Sequence, residues 1–198
     1  CAFVHRETKM ACTMTTNGVL LDDVAVSRLS STLDFCRISM DGIGKTHEGI
    51  RKYSFDKLLS VVQSAAKQMK IGINYLVNDV TIGDLKRIME LAAGIGAKEL
   101  LLLPEVATNG SISVSEASLR QLRQGVSDYH GAVAIRISER FKDVVPSSVI
   151  IPGDAGTRAY MHIDCKGILK RDSFSRSGCP ITGGLMDAIS LFNKEVAA

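Results

Sequence analysis

Short apolar runs alternate with amphipathic stretches along most of the chain. Residues 55–69 place apolar side chains at helical spacing, and residues 84–95 repeat that period. Residues 34–40, 71–77 and 99–103 form apolar runs without strict alternation, which is typical of strands buried on both faces. The pattern predicts strands over 11–16, 34–40, 71–77, 99–103, 132–138 and 159–164, and helices over 20–30, 55–69, 84–95, 116–127 and 184–195.

The alternation of strands and helices predicts a parallel sheet with right-handed crossovers. Two architectures fit this order, namely a (β/α) barrel or barrel segment and a doubly wound open sheet. No linker or low-complexity tract interrupts the sequence. We therefore expect a single domain over 1–198.

The composition of the chain excludes several classes of protein. The chain has 198 residues, of which 45% are hydrophobic, and a formal net charge of +3, so it can bury a core and is not disordered. That charge is too small to predict a nucleic-acid or membrane partner, and no apolar run approaches the roughly 18 residues of a membrane span. With no signal segment we expect a cytoplasmic protein. Because the sequence opens at Cys1 without Met, we expect it to come from a longer chain.

Polar residues follow most of the predicted strands. Thr16 and Asn17 end the first, and Ser39 and Asp41 end the second. Ligand sites of parallel α/β folds collect at the carboxyl ends of strands, so this pattern predicts a site for a small polar ligand. Asp41 fits two interpretations equally, since Asp-Gly also stops a strand without any functional role.

Other chemistries receive less support. The five cysteines show no C-x-x-C spacing, and we expect Cys12 and Cys36 to pack in strands. Cys165 and Cys179 flank a loop and could meet, which leaves a redox or metal role for this pair open. We expect His47 to be a solvated loop residue.

A phosphate loop is not predicted. Residues 42–46 (GIGKT) lack the first glycine of the G-x-x-x-x-G-K-[ST] frame, since position 39 is Ser. The phosphate-binding mechanism also needs a helix to begin at the Lys, and residues 47–54 (HEGIRKYS) do not predict one.

Several segments, in order, resemble radical S-adenosylmethionine (radical SAM) enzymes. Residues 15–21 (TTNGVLL) are similar to the superfamily's TNG-x-L segment. Residues 37–42 (RISMDG), then 47–51 (HEGIR) and Phe55, resemble its R-I/V-S-L-D-G … H-x-x-I-R … F stretch. The further segments that resemble its next strands and helix start are 73–78, 84–85 and 99–104.

The resemblance implies a partial (β/α) barrel of parallel strands with flanking helices. It also implies reductive cleavage of S-adenosylmethionine by a [4Fe-4S] cluster and hydrogen abstraction from a peptide or small-molecule substrate. Ser39 would contact S-adenosylmethionine, and Leu103 and Pro104 would lie near its adenine. The residues that the resemblance places around the cofactor or substrate are Thr16, Asn17, Ser39, Asp41, Leu103 and Pro104.

The sequence departs from the superfamily at its cluster. It has neither a C-x-x-x-C-x-x-C motif nor a Gly-Gly-Glu segment. We therefore expect a truncated or degenerate form, which is an enzyme only if a parent protein supplies the cysteines. The alternatives are a non-catalytic binding or scaffold protein on the same barrel, and an unrelated (β/α)-barrel enzyme. Without preceding strands, the run over 11–16 would expose an edge that we expect a second copy or a partner chain to cover.

Overall fold

The computed structural model describes residues 2–7, 11–107, 111–137, 142–145, 149–150, 161–171 and 175–196. The chain forms two compact units, Cys1–Ile151 and Pro152–Ala198, and the expectation of one domain over 1–198 stays a prediction. The elements are α1 (Ala2–Glu7), β1 (Thr13–Thr16), α2 (Asp23–Ser30), β2 (Phe35–Ser39), α3 (Lys45–Arg51), α4 (Phe55–Gln68), β3 (Ile71–Val77), a 3-10 turn (Ile82–Asp84), α5 (Leu85–Gly94), β4 (Glu99–Pro104), α6 (Glu116–Ser127), β5 (Ala134–Ile137), β6 (Val149–Ile150), β7 (His162–Ile163), β8 (Ile168–Lys170), β9 (Cys179–Pro180) and α7 (Leu185–Val196).

The first unit contains a six-stranded sheet in the order β1-β2-β3-β4-β5-β6. Every neighbouring pair is parallel. A doubly wound sheet would reverse its strand order at a switch point, whereas here spatial order follows chain order throughout. The predicted partial (β/α) barrel is therefore confirmed.

Local sequence explains the central elements. β3 has the bounds predicted from its apolar run, and five of its residues, from Ile71 to Tyr75, are buried in succession. Ser54 caps α4 by accepting a hydrogen bond from the Lys57 amide, and the helix then buries Phe55, Leu58, Val62 and Ala65 along one face.

The two faces of the sheet differ. On β2, Cys36 and Ile38 are fully buried and belong to the core formed with the helices, whereas Arg37 and Ser39 are half-buried on the opposite side. We call these the helix-covered face and the open face. Because partners in a parallel pair point the same way, the register with β2 assigns residues of the other strands to one face or the other.

The helix α3 corrects the sequence analysis, which predicted no helix over 47–54. Gly49 weakens the helical signal of the sequence, and the helix ends at Lys52, which adopts a left-handed conformation with φ of +56°. Tertiary contacts compensate, since Arg51 pairs with Asp41 and Glu48 Oε1 accepts a hydrogen bond from the Phe55 amide. Such contacts routinely override intrinsic propensity.

The second unit has a three-stranded antiparallel sheet, β7-β8-β9, and the helix α7. The strand predicted over 159–164 is thus shorter, and residues 159–160 lie outside the described residues. It forms a hairpin because the Asp164 side chain accepts hydrogen bonds from the amides of Lys166 and Ile168, while Gly167 adopts φ of +73°.

β1 has a single neighbour, β2, among the strands that the structure describes. Covering of its other edge by a second copy or a partner chain stays a prediction. Among the described residues, no helix combines the length and apolar character needed to cross a bilayer. The cellular compartment also stays a prediction.

Candidate functional site

The carboxyl ends of β1, β2 and β4 lie at one edge of the sheet because the strands are parallel and in chain order. Thr16 pairs with Ile38, so Asn17 follows at the level of Ser39. Ser39 in turn pairs with Asn74 of β3. The predicted site residues therefore converge on one edge, although they do not all lie on one face.

Thr16 lies on the helix-covered face, because it is level with the buried Ile38. Its hydroxyl accepts a hydrogen bond from the Gly18 amide at 3.1 Å. Thr15 pairs with Arg37 and is the last threonine of β1 on the open face. Asn17 is exposed, and its Oδ1 accepts from the Val19 amide at 3.1 Å. Both Thr16 and Asn17 thus make contacts that build the turn.

Gly18 is required by packing. Its φ is +78°, and a Cβ atom added there would lie 2.5 Å from Leu58 Cδ1 of α4. A side chain at this position would both strain the backbone and overlap the helix. The Asn-Gly turn after β1 therefore has a structural explanation in this chain, independent of any ligand.

Asp41 is a buried carboxylate that joins three elements. Its Oδ1 accepts a hydrogen bond from the Leu76 amide of β3 at 2.8 Å. Its Oδ2 accepts from Arg51 Nε of α3 at 2.5 Å, and only 2% of the Asp41 side chain is exposed. Both carboxylate oxygens are therefore engaged in holding α3 against the ends of β2 and β3.

His47 is buried, which corrects the expectation of a solvated loop residue. It is 1% exposed, lies in α3, and its Nδ1 accepts a hydrogen bond from the Asp41 amide at 3.2 Å. Its ring packs edge-on against Phe55, with 5.8 Å between the ring centroids. Burial lowers the pKa of His47, while the nearby Asp41 carboxylate opposes that shift. The histidine is consequently a neutral packing residue under the strand end.

The loop between β2 and α3 is fixed from the far side by Asp84. Asp84 Oδ2 accepts a hydrogen bond from the Ile43 amide at 3.0 Å, and its Oδ1 pairs with Arg87 at 3.0 Å. Gly42 adopts φ of +97°, and a Cβ atom added there would lie 2.5 Å from Thr46. The backbone that follows Ser39 is thus held in one conformation before any ligand arrives.

Leu103 and Pro104 lie on opposite faces at the end of β4. Leu103 is half-buried and level with Leu76 on the open face, whereas Pro104 is buried and level with Val77 on the helix-covered face. The Glu105 amide continues the ladder by donating to the Val77 carbonyl at 2.9 Å. Leu103 is the one of the two that lies on the same face as Ser39 and Asn74.

Ser39 differs from the other predicted residues in having no internal role. It is half-buried at the end of β2, and no hydrogen bond of its hydroxyl is found among the described residues. The loop after it is fixed by Asp41 and Asp84. A small hydroxyl on a rigid strand end is the kind of group that orients a polar ligand.

The described cysteines do not form a metal site. Among the residues that the structure describes, no group of three or more His, Cys, Asp or Glu side chains could hold an ion. Cys36 is buried within β2, and burial raises the pKa of its thiol, which disfavours the thiolate that metals bind. Cys165 is exposed and Cys179 is buried in β9, and both are free thiols. These residues do not fit a [4Fe-4S] cluster.

A charged group that was not predicted from the sequence lies on the open face of the sheet. Arg37 of β2 and Arg136 of β5 both approach Glu99 of β4, with N to O distances of 2.6 and 3.5 Å. The available signal was an ionic residue inside each of three apolar strands, since such residues are rarely buried unless paired. We call Arg37, Glu99 and Arg136 the charge layer.

The sequence matches no family model and no curated protein. Its fold, in contrast, is similar to several solved structures. Streptococcus suis SuiB bound to precursor peptide SuiA aligns with a TM-score of 0.66 and 18% identity over 85% of this chain and 44% of that chain. Native anSMEcpe with bound AdoMet aligns with a TM-score of 0.70 and 16% identity over 97% of this chain and 60% of that chain.

A shorter structure is similar as well. A domain of pyruvate-formate lyase-activating enzyme from Bacteroides vulgatus aligns with a TM-score of 0.54 and 15% identity, covering 68% of this chain and 87% of that chain. The chain spans roughly half the length of SuiB and of anSMEcpe. At these identities the likeness concerns architecture, and it agrees with the sheet order found here. The chain has a radical SAM-like fold.

Proposed function

We propose that this chain binds S-adenosylmethionine at the carboxyl edge of its parallel sheet and is the core of a radical SAM enzyme. The observation that carries the proposal is Ser39 on the fixed end of β2, a half-buried residue whose hydroxyl has no hydrogen-bond partner among the residues described. Solved structures of SuiB and of anSMEcpe contain bound S-adenosylmethionine or AdoMet. The ligand class follows from that likeness, and the position follows from Ser39.

The roles of the predicted residues divide between contact and positioning. Ser39 would hydrogen-bond a polar group of S-adenosylmethionine, and Leu103 would provide apolar surface for the adenine. Asn17 lies at the level of Ser39 and would border the ligand. Asp41 would act as a positioning residue, because its oxygens already bind Leu76 and Arg51.

Thr16 and Pro104 would support the site from behind. Both lie on the helix-covered face, Thr16 level with Ile38 and Pro104 level with Val77. Thr16 orders the turn that presents Asn17, since its hydroxyl accepts from the Gly18 amide. Pro104 ends the strand that carries Leu103. We propose an indirect role for these two residues.

A [4Fe-4S] cluster would supply the electron that cleaves S-adenosylmethionine in enzymes of this kind. The described residues do not fit a cluster, as shown above, and no step through one is derived for this chain. Binding of the nucleoside and the initiation of radical chemistry are therefore separate questions here.

A peptide is the substrate class that the structural neighbours favour. SuiB has been solved bound to the precursor peptide SuiA, and anSMEcpe bound to a Cp18Cys peptide. We propose that the open face of the sheet, bordered by Ser39 and Leu103, receives such a substrate.

Calorimetry with S-adenosylmethionine tests the proposal on the Ser39→Ala variant. Loss of one hydrogen bond costs about 1 kcal/mol, or roughly fivefold in Kd. The matched control is Ser60→Ala, an exposed serine in α4 away from the strand ends. If Ser39→Ala and the unsubstituted chain bind with equal affinity, Ser39 is not part of the site. If the unsubstituted chain does not bind S-adenosylmethionine, the proposal is refuted.

A second candidate is a non-catalytic binding protein on the same barrel. The lack of a fitting cluster ligand set among the described residues favours it. This candidate also binds S-adenosylmethionine but leaves it intact after reconstitution with iron and sulfide under reducing, anaerobic conditions. Release of 5′-deoxyadenosine in that assay selects the enzyme, and binding without release selects the binding protein.

A further inference from the structure

The charge layer on the open face is not balanced internally. Arg37 Nε and Nη2 lie 2.7 and 2.6 Å from Glu99 Oε1, so two nitrogens of the guanidinium group contact the same carboxylate oxygen. Arg136 Nε lies 3.5 Å from Glu99 Oε2, which is an ion pair without a hydrogen bond. Among the residues that the structure describes, two guanidinium groups therefore face one carboxylate, and a single positive charge is left over.

The backbone accommodates this layer specifically. Gly72 of β3 lies in register between Arg37 and Glu99. A Cβ atom added at Gly72 would lie 2.9 Å from the Phe35 ring and 3.0 Å from Glu99 Cγ. The missing side chain lets Arg37 reach across β3 to Glu99, and the Arg37 guanidinium also lies 5.1 Å from the Phe35 ring centroid. The charge layer is thus a packed part of the fold.

Two buried polar atoms of this face have no hydrogen-bond partner within the described part of the chain. They are Nε of Arg136, which lacks an acceptor, and the amide oxygen of Asn74, which lacks a donor. Asn74, Leu101 and Arg136 form one row across β3, β4 and β5, so both atoms belong to the same face. Leaving such buried groups unpaired destabilises the protein. A ligand that offers an acceptor to Arg136 and a donor to Asn74 would remove that cost.

The layer is reachable from solvent. The side chains of Arg37 and Arg136 are each 24% exposed, whereas that of Glu99 is 11% exposed. A ligand on the open face would meet the guanidinium groups first and the carboxylate last. Approach of an anion is accordingly favoured over approach of a cation.

We propose that the open face binds the carboxylate of an acidic peptide residue at Arg136, with the Asn74 amide oxygen accepting an N–H group of the same peptide. One surplus charge matches one carboxylate, and guanidinium and carboxylate have complementary geometry. A peptide carries an acid and N–H groups in one molecule, which a simple carboxylate does not. The assignment of this peptide as a substrate rests on the proposed function, whereas the carboxylate site rests on the charge layer alone.

The experiment follows the Nε–H signals of arginines by NMR in the full chain. The probe is N-acetyl-glutamate N-methylamide, with N-acetyl-glutamine N-methylamide as its neutral counterpart and butyrate as a carboxylate without N–H groups. The signal missing from the Arg136→Gln spectrum identifies Arg136. We expect the acidic probe to shift this signal saturably, butyrate to bind more weakly, and the neutral probe to leave it in place.

Variants that each remove one positive charge distinguish binding at a defined site from general attraction of the acidic probe to a positively charged surface. Arg136→Gln and the control Arg120→Gln each remove one charge, and Arg120 is exposed on α6. We expect Arg136→Gln to weaken the acidic probe about tenfold or more, and Arg120→Gln to leave its affinity unchanged. Glu99→Gln should strengthen binding, because it removes the competing carboxylate. This variant decides the matter if circular dichroism shows that Arg136→Gln does not fold.

The outcomes separate this proposal from the proposed function. Equal shifts with the acidic and neutral probes overturn the carboxylate site, as do equal losses in the two arginine variants or unchanged affinity in Glu99→Gln. Butyrate binding as tightly as the acidic probe overturns the role of Asn74. Calorimetry with S-adenosylmethionine on the same samples tests the other proposal independently.

Discussion

Replacement of Asp41 by Asn tests whether this residue fixes the strand-end loop. The substitution keeps the size of the side chain and an oxygen for the Leu76 amide, but it removes the negative charge that faces Arg51. It also turns an amide N–H₂ group or a neutral oxygen toward the guanidinium. The change therefore isolates the ionic part of the contact between the end of β2 and α3.

The magnitude follows from burial and geometry. The Asp41 side chain is 2% exposed, whereas that of Arg51 is 38% exposed, so solvent screens one partner of the pair. A hydrogen bond to a charged group contributes about 1.5 to 3 kcal/mol, and partial exposure favours the lower half of that range. We expect Asp41→Asn to lower the free energy of unfolding by about 2 kcal/mol. The Arg51→Met variant should lose a similar amount, and the double variant about 1 kcal/mol less than the sum of both, because the two residues share one contact.

Urea unfolding of the four proteins measures these losses, and amide hydrogen exchange locates them. The Leu76 amide reports directly, because it donates to Asp41 Oδ1. We expect its exchange to accelerate in Asp41→Asn and in Arg51→Met. Additive losses in the double variant, or an Asp41→Asn protein as stable as the parent chain, would refute the view that the pair holds α3 in place.

Two further predictions concern His47 and Gly18. Burial lowers the pKa of His47 in the folded chain, whereas in the unfolded chain the imidazole keeps its usual pKa of about 6.5. Below about pH 6.5 the unfolded chain therefore binds a proton that the folded chain does not. The free energy of unfolding should fall as the pH drops from about 6.5 to the lowered pKa, by at most about 1.4 kcal/mol per pH unit. In His47→Asn this part of the pH dependence of urea unfolding should disappear, and a persisting slope would assign it to another group. Gly18→Ala should cost about 1 to 3 kcal/mol, because of the positive φ and the 2.5 Å approach to Leu58, and an unchanged melting temperature would contradict that packing.

Much of the fold was predictable because its signals are local. Strand β3 is bounded by Lys70 and Asn78, and its apolar run gave the correct limits. Helix α6 was likewise predicted with its observed bounds, since Ser115 caps it by accepting from the Ser118 amide. Helix α3 was not predictable in this way, because its stability comes from contacts of Arg51 and His47 with Asp41 in the loop that follows β2.

The sequence was enough to predict that the site residues lie at the carboxyl edge of the sheet, but it did not predict which of the two faces each residue occupies. The face of Thr16 depends on its register with Ile38, which nothing within β1 specifies. The charge layer depends on a contact between Arg37 and Glu99 across 62 positions of sequence and on the gap at Gly72. Such information exists only once the strands are paired.

The residues that carry the family resemblance divide into two groups once their contacts are known. Gly18, Asp41, His47 and Arg51 all have folding contacts that account for their presence. These four would be retained in a chain that kept the barrel and lost its chemistry, so they indicate architecture more than activity. Among the described residues, the Ser39 hydroxyl has no such contact. Asn74 Oδ1 and His47 Nε2 also lack a hydrogen-bond partner there, as does Nε of Arg136, which lies outside the segments of the resemblance. Function in this chain is therefore best tested where the fold leaves polar groups unused, and both proposals depend on those positions.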